Sequence, residues 1–149
     1  MEIRQRLEND FKEALKNKDK VALSTLRMLK AALHNKEIEK KGERLKEAEV
    51  IKAISRQVQQ HKDSIEQFTK GKREDLVKKE AKELEILEKY LPKQLSQEQI
   101  IAVVKKVIAD LGAKDRSDFG KVMKPVMASL GGKADGKVVS QVVSSQLGS

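Results

Sequence analysis

Lysines and glycines are concentrated near the carboxyl-terminal end of the sequence, and this combination suits the binding of phosphate groups. The lysines of this stretch are Lys121, Lys124, Lys133 and Lys137. Gly131 and Gly132 lie between the two pairs, where glycine permits a tight turn. Beyond Asp118 the only acidic residue is Asp135, which can cap a following helix. The pattern predicts a helical hairpin with a cationic corner.

The spacing from Gly131 to Lys137 approaches that of a nucleotide-binding P-loop but lacks two of its requirements. A P-loop continues with a serine or threonine for magnesium, whereas Val138 stands here. It also follows a β-strand, whereas a helical pattern precedes Gly131. We therefore expect no nucleotide hydrolysis. Two interpretations stay open: a capped turn between helices, or a turn whose amide groups and lysines dock a phosphate.

Catalytic and metal-binding side chains form no evident constellation in the sequence. With no cysteine, the chain has no disulfide, thiolate nucleophile or thiolate metal site. His34 and His61 are the only histidines, and neither has a second histidine or a carboxylate at an evident ligand spacing. We predict no metal, no cofactor and no catalytic residue, hence a non-enzymatic protein. We expect His61 to be a half-buried, hydrogen-bonded ring on a helix seam.

The elements that position the lysines are helices, because apolar residues recur at three- and four-residue steps along the whole chain. The predicted apolar faces are Ile3, Leu7, Phe11 and Leu15; Ala22, Leu26, Leu29 and Leu33; Ile51, Ile54, Val58, His61, Ile65 and Phe68; Val77, Ala81, Leu84, Leu87 and Leu91; Ile100, Val103 or Val104, Val107 and Leu111; Phe119, Val122, Val126 and Leu130; and Val138 or Val139, Val142 and Leu147. The β-branched run from Val138 to Val143 could form a strand, but it would lack a pairing partner.

Capping residues and a proline divide this all-α chain. Asp19 and Asp135 are predicted N-caps, and Ser96 with Gln99 forms the pattern of a capping box. Pro92 disfavours helix at the residue before it and so closes the longer first part. We predict an N-terminal four-helix domain over residues 1–92 and a small three-helix tail domain over residues 93–149.

The charge of the chain favours an anionic partner. Lysine and arginine number 32 against 23 acids, a net charge of +9. A polyanion such as nucleic acid is one interpretation, and a solvated lysine-rich surface is the other. With three Phe, one Tyr and no Trp, stacking on bases is disfavoured, and recognition by backbone and shape is expected. No apolar run is long enough for a membrane span, and the start lacks a signal core. We predict a cytoplasmic protein without a membrane partner.

Several segments resemble the GatB/YqeY family. They are Gly120-Lys-Val-Met123, the Val126-Met127 pair, Gly132-Lys-Ala-Asp-Gly-Lys137 and, near the front, Leu26-Arg-Met-Leu29. This family includes the B subunit of the glutamyl/aspartyl-tRNA amidotransferase and small stand-alone YqeY-like proteins, and a chain of this length is similar to the stand-alone kind. Pro125 departs from the family pattern and is expected to remove a backbone hydrogen bond and bend its helix.

The resemblance implies a tRNA-associated accessory protein, possible partners being tRNA and a tRNA-charging or amidotransferase complex. The residues expected at the tRNA backbone are Lys114, Arg116, Lys121, Lys124, Gly132, Lys133, Gly136 and Lys137. Lysine and arginine would contact phosphates, and glycine would allow close backbone approach. The alternatives are an adaptor that docks helical protein partners and, most weakly, a carbon–nitrogen ligase or amidase acting on aminoacyl-tRNA.

Overall fold

The structure, a computed structural model, describes residues 2–148 and is all-helical within them. The helices are α1 (Ile3–Asn17), α2 (Lys20–Glu39), α3 (Glu47–Lys70), α4 (Glu74–Glu88), α5 (Gln97–Leu111), a 3₁₀ helix (Arg116–Asp118), α6 (Phe119–Leu130) and α7 (Gly136–Leu147). No β-strand occurs in this described range, and the β-branched run from Val138 to Val143 is helical. The all-α prediction is confirmed. None of the described helices combines the length and apolar character needed to cross a membrane.

Helices α2, α5 and α7 begin at the capping residues that the sequence predicts. The Asp19 carboxylate accepts a hydrogen bond of 3.1 Å from the Ala22 amide at the start of α2. At α5, Ser96 Oγ accepts from the Gln99 amide at 3.2 Å, and Gln99 Oε1 accepts from the Ser96 amide at 2.9 Å. This reciprocal capping box satisfies amides that would otherwise lack partners at a helix start. These local predictions are confirmed.

The chain divides into two compact units, Met1–Leu91 and Pro92–Ser149. Helices α1 to α4 belong to the first unit, and α5 to α7 belong to the second. The core of the first unit consists of Ile3, Leu7, Leu26, Leu29, Leu33, Leu45, Val50, Ile54, Val58, Leu87 and Tyr90. Most of these residues come from the predicted apolar faces of α1 to α4, so hydrophobic burial explains how the helices of this unit associate.

Two of the predicted apolar faces in the first unit each include a residue that is exposed in the structure. Leu15 is 48% exposed, whereas Ala14 beside it is buried. Each four-residue step along a helix overshoots a full turn by about 40°, so after Leu7 and Phe11 a three-residue step returns to the buried face. Ala81 is likewise exposed, and the polar Glu83 is buried in the same helix.

The second unit buries one face of each of its three helices. Its core consists of Ile100, Val104, Val122, Val126, Leu130, Ala134, Val139, Val142, Val143 and Leu147. Val122, Val126 and Leu130 form the buried face of α6, as predicted. Pro125 lies inside α6, and the helix continues from Phe119 to Leu130 around it. The packing of this face maintains the helix despite the backbone hydrogen bond that proline cannot donate.

Candidate nucleic-acid interface

The turn between α6 and α7 forms a defined corner. Gly131 and Gly132 adopt left-handed backbone conformations with φ of 51° and 81°, which glycine adopts without a Cβ clash. Asp135 then caps α7, because its Oδ1 accepts a hydrogen bond of 2.9 Å from the Lys137 amide. The predicted glycine turn and aspartate cap are both confirmed. We call residues 131–137 the α6–α7 corner.

The corner is held against the segment that precedes α5. Gln94 Nε2 donates to the Gly132 carbonyl at 3.0 Å, and the Leu95 amide donates to the Lys133 carbonyl at 2.8 Å. Ala134 is buried in the core of the second unit. The backbone of the corner is therefore fixed on two sides, while the side chains of Lys133 and Lys137 are exposed.

The structure distributes the remaining predicted cations along α6. Lys114 and Arg116 precede this helix, whereas the α6–α7 corner follows it. Twelve residues of α-helix span about 18 Å, so these two groups stand at opposite ends of α6. Lys121 and Lys124 lie between them, exposed and three residues apart on one helix face. The eight predicted residues are thus spread along the length of α6 rather than gathered in a single cluster.

The aspartates of this region are engaged by backbone amides. Asp118 Oδ2 accepts from the Lys114 amide at 3.0 Å, and Asp135 accepts from Lys137 as described. Asp115 accepts from the hydroxyl and the amide of Ser117, and these bonds hold the pKa of Asp115 below its ordinary value. The carboxylates therefore accept local hydrogen bonds, and those of Asp115 and Asp135 cap the 3₁₀ helix and α7.

Few of the predicted cations are neutralised by these acids. Lys121 lies 3.8 Å from Asp118, in an exposed ion pair that is weak in water. Within residues 92–148, Lys114, Arg116, Lys124 and Lys133 form no ion pair, and all four are exposed. The surface along α6 therefore keeps most of its positive charge available to a ligand.

The two glycines predicted to face the ligand differ in what the fold requires of them. Gly132 has a positive φ of 81°, so its conformation by itself favours glycine. A Cβ added at Gly136 would meet no atom within 4 Å. Packing among the described residues therefore does not require glycine at position 136, and the space beside it is open to a ligand.

The first unit contains a polar cluster that was not predicted from the sequence. His61 Nε2 lies 3.0 Å from Glu83 Oε2 and 3.5 Å from Glu80 Oε2. Its Nδ1 lies 2.9 Å from the carbonyl oxygen of Gln57, so the expected hydrogen-bonded ring is confirmed. His61 and Glu83 stand eleven residues before and after Lys72, which lies in the turn between α3 and α4. Counting outward from this turn along both helices would have paired them.

The fold and this site define a basic, all-helical protein in which a glycine-containing turn between two helices carries exposed lysines. The sequence matches the family described as Yqey-like protein over residues 4–147. This match covers nearly the whole chain, and the protein belongs to that family.

Three fungal relatives are named "Altered inheritance of mitochondria protein 41, mitochondrial". The Kluyveromyces lactis protein is 39% identical over 124 residues, which cover 78% of this chain and 66% of that protein. The Pyrenophora tritici-repentis protein is 35% identical over 147 residues, covering 96% of this chain and 80% of that protein. The Lachancea thermotolerans protein is 37% identical over 107 residues, covering 70% and 57%. The chain thus spans slightly under two thirds of the first relative and little more than half of the last.

The comparison corrects the predicted location. A cytoplasmic protein was predicted from the absence of a signal core, but these relatives are named as mitochondrial proteins. The cytoplasmic prediction is therefore wrong. The lack of a secretory signal core was weak evidence, because mitochondrial transit peptides are amphipathic and arginine-rich and do not contain such a core.

Proposed function

We propose that this YqeY-like protein is a tRNA-associated accessory protein whose second unit binds the tRNA backbone. The observation that carries the proposal is the spread of exposed, mostly unneutralised cations from the start of α6 to the α6–α7 corner. Phosphate groups follow one another along a strand, so cations spread over the length of a helix can contact several of them.

The corner contributes a second kind of contact. Amide groups at the start of α7 carry the partial positive charge of a helix N-terminus, and Lys133 and Lys137 stand beside them. The open space at Gly136 admits close approach of a phosphate or a ribose. Asp135 occupies one of these amides and reduces the attraction, so the lysines supply most of the affinity.

The resemblance of the corner to the tail of the amidotransferase B subunit favours tRNA over other polyanions. The same resemblance makes a tRNA-charging or amidotransferase complex the assembly in which this protein would act. Contacts to phosphates and 2′-hydroxyl groups give affinity for an RNA shape with little choice of sequence. We expect several tRNAs to bind with similar affinity.

A salt titration of tRNA binding tests the proposal. If four to six phosphates are neutralised, log affinity falls against log salt concentration with a slope of roughly −3 to −5. Changing Lys133 and Lys137 together to Glu is expected to abolish binding, as measured by the fluorescence anisotropy of labelled tRNA. Circular dichroism confirms that the variant remains folded.

A matched control separates a local effect from a loss of total charge. Lys105 and Lys106 are exposed on α5, and changing both to Glu lowers the net charge from +9 to +5, as in the corner variant. We expect this control to retain most of the affinity. Equal loss in the two variants would reject the corner as the site, and salt-independent binding would reject the backbone contacts.

An adaptor function is the second candidate, and exposed apolar residues in the first unit favour it. Met28 is 52% exposed and Ile38 is 61% exposed, both on α2. Val21 stands seven residues before Met28, so the two share one face of the helix. Such a face can dock a partner helix. Binding of a protein partner that Met28→Glu abolishes, together with no affinity for tRNA, would favour this function.

A further inference from the structure

We propose that His61, Glu80 and Glu83 bind one divalent metal ion of the zinc type between α3 and α4. The site lies in the first unit and involves none of the residues of the α6–α7 corner. The proposal is independent of tRNA binding. It rests on the geometry of the three side chains, the hydrogen bond of the imidazole, and the balance of charge around them.

The distances between the three side chains suit a common ion. One ligand atom from each residue lies within 4.8 Å of the others. The two separations from His61 Nε2, 3.0 Å to Glu83 and 3.5 Å to Glu80, are the informative ones. Nitrogen and oxygen ligands at about 2.1 Å from an ion, at tetrahedral or octahedral angles, stand roughly 3.0 to 3.5 Å apart. The two separations from the imidazole nitrogen are therefore those of ligands that share one ion.

The imidazole is oriented for a metal by a backbone hydrogen bond. A carbonyl oxygen only accepts, so His61 Nδ1, 2.9 Å from the Gln57 carbonyl, carries a proton and donates it. In the neutral ring the lone pair is then on Nε2 and points to the carboxylates. Histidine ligands of metals commonly donate their other N–H to a backbone carbonyl, which fixes the ring in this way.

The charges around the cluster leave room for a cation. His61 and Glu83 are only 8% and 6% exposed, and Glu80 is half-buried. Among residues 2–91, no lysine or arginine forms an ion pair with either glutamate. The cluster has two carboxylates against one imidazole, and acidic groups largely removed from solvent need a compensating positive charge. A divalent ion with a neutral imidazole brings the sum of charges to zero.

The ligand set indicates the class of ion. One imidazole and two carboxylates suit zinc and related borderline ions better than magnesium, which prefers oxygen alone. Three protein ligands leave a position for water, which can reach the site from the exposed side of Glu80. Because α3 supplies the histidine and α4 supplies both glutamates, the ion would tie the two helices together.

Metal titration of the full chain tests the proposal. After treatment with a chelator, isothermal calorimetry with Zn²⁺ is expected to show one ion per chain. The same ion should raise the melting temperature, because a ligand of the native state stabilises it. Co²⁺ in place of Zn²⁺ should give the visible absorption of a four-coordinate site.

Ligand variants and matched controls locate the ion. His61→Gln and Glu80→Gln are each expected to lower the affinity for Zn²⁺ by at least about a hundredfold. This loss exceeds the effect of removing a residue that only hydrogen-bonds to a metal ligand. If loss of the buried His61 imidazole weakens folding, the Glu80→Gln variant still tests the site, because Glu80 is only half-buried. His34→Gln and Glu85→Gln change exposed residues and should leave the stoichiometry at one.

Two results would overturn the inference. One is the absence of stoichiometric Zn²⁺ binding in the native chain, or binding that the ligand variants leave unchanged. The other is a nitrogen NMR spectrum in which both ring nitrogens of His61 stay protonated with Zn²⁺ in excess. That spectrum would identify an imidazolium ion paired with Glu83 and no metal.

Discussion

At the scale of single residues, Asp135 has two opposite effects on the α6–α7 corner. Its carboxylate caps α7 through the Lys137 amide, and its negative charge opposes an anionic ligand. Asp135→Ala should lower the free energy of unfolding by about 1 kcal/mol through loss of the cap. Asp135→Asn keeps a capping oxygen and should preserve stability. Urea denaturation measures both changes.

The same pair of variants separates charge from fold in tRNA binding. Both remove the negative charge, so both should bind tRNA more tightly than the native chain at low salt, and the gain should shrink as salt rises. Tighter binding by neither variant would contradict the corner as the anion site. A gain by Asp135→Asn alone would show that the cap is also needed to hold the lysines.

Glu37 gives the first unit a dependence on acid. Arg4 lies 2.7 Å from this carboxylate and the Leu45 amide donates to it at 3.1 Å, and these bonds lower the pKa of Glu37 from its ordinary 4.5. Its contribution to stability is therefore present above pH 4.5 and is lost as the pH falls through the lower folded-state pKa.

We expect Glu37→Gln to make stability less dependent on pH in this acidic range. Thermal melts between about pH 5 and pH 3 should fall less steeply for the variant than for the native chain. Arg4→Met, which removes the stronger donor, should reduce the slope in the same direction. An unchanged slope in both variants would show that other carboxylates dominate acid unfolding.

At the scale of elements, α6 contains a residue that opposes its own helix. Pro125 cannot donate to the Lys121 carbonyl four residues earlier, and its ring crowds that oxygen. Pro125→Ala should therefore raise the free energy of unfolding by about 1–2 kcal/mol, after allowance for the greater freedom of the unfolded chain. Chemical denaturation of the full chain measures this change.

Pro92→Ala is the matched control for Pro125→Ala. Pro92 lies outside the helices, so its replacement offers no helical hydrogen bond and should not stabilise the protein. Destabilisation by Pro125→Ala would instead mean that the half-buried ring contributes more to the core than the missing hydrogen bond removes.

The elements also show which predictions a sequence supports. Helix starts depend on residues within one turn, so Asp19, Ser96 and Asp135 were identified correctly from their neighbours alone. The buried side of a helix end depends on what packs against it. The sequence pattern alone therefore assigned Leu15 to the core, whereas in the structure Ala14 occupies that place. The caps and turn of the corner were predictable, whereas its role in binding stays a prediction.

At the scale of the molecule, the polar cluster that the sequence did not reveal depends on contacts between residues far apart in the chain. Glu80 and Glu83 follow His61 by 19 and 22 residues, beyond any local ligand spacing. Only the antiparallel course of α3 and α4 brings the three side chains together.

We propose that residues 1–92 and residues 93–149 are two separable domains, and the two compact units of the chain support this. The second unit has its own apolar core, and domains of about 55 to 65 residues can fold alone. We expect a 93–149 fragment to melt cooperatively by circular dichroism and to bind tRNA with an affinity close to that of the full chain. The 1–92 fragment should bind weakly, because it lacks the α6–α7 corner. A 93–149 fragment without a cooperative transition would contradict the domain division, whereas a folded one without affinity for tRNA would contradict the binding site.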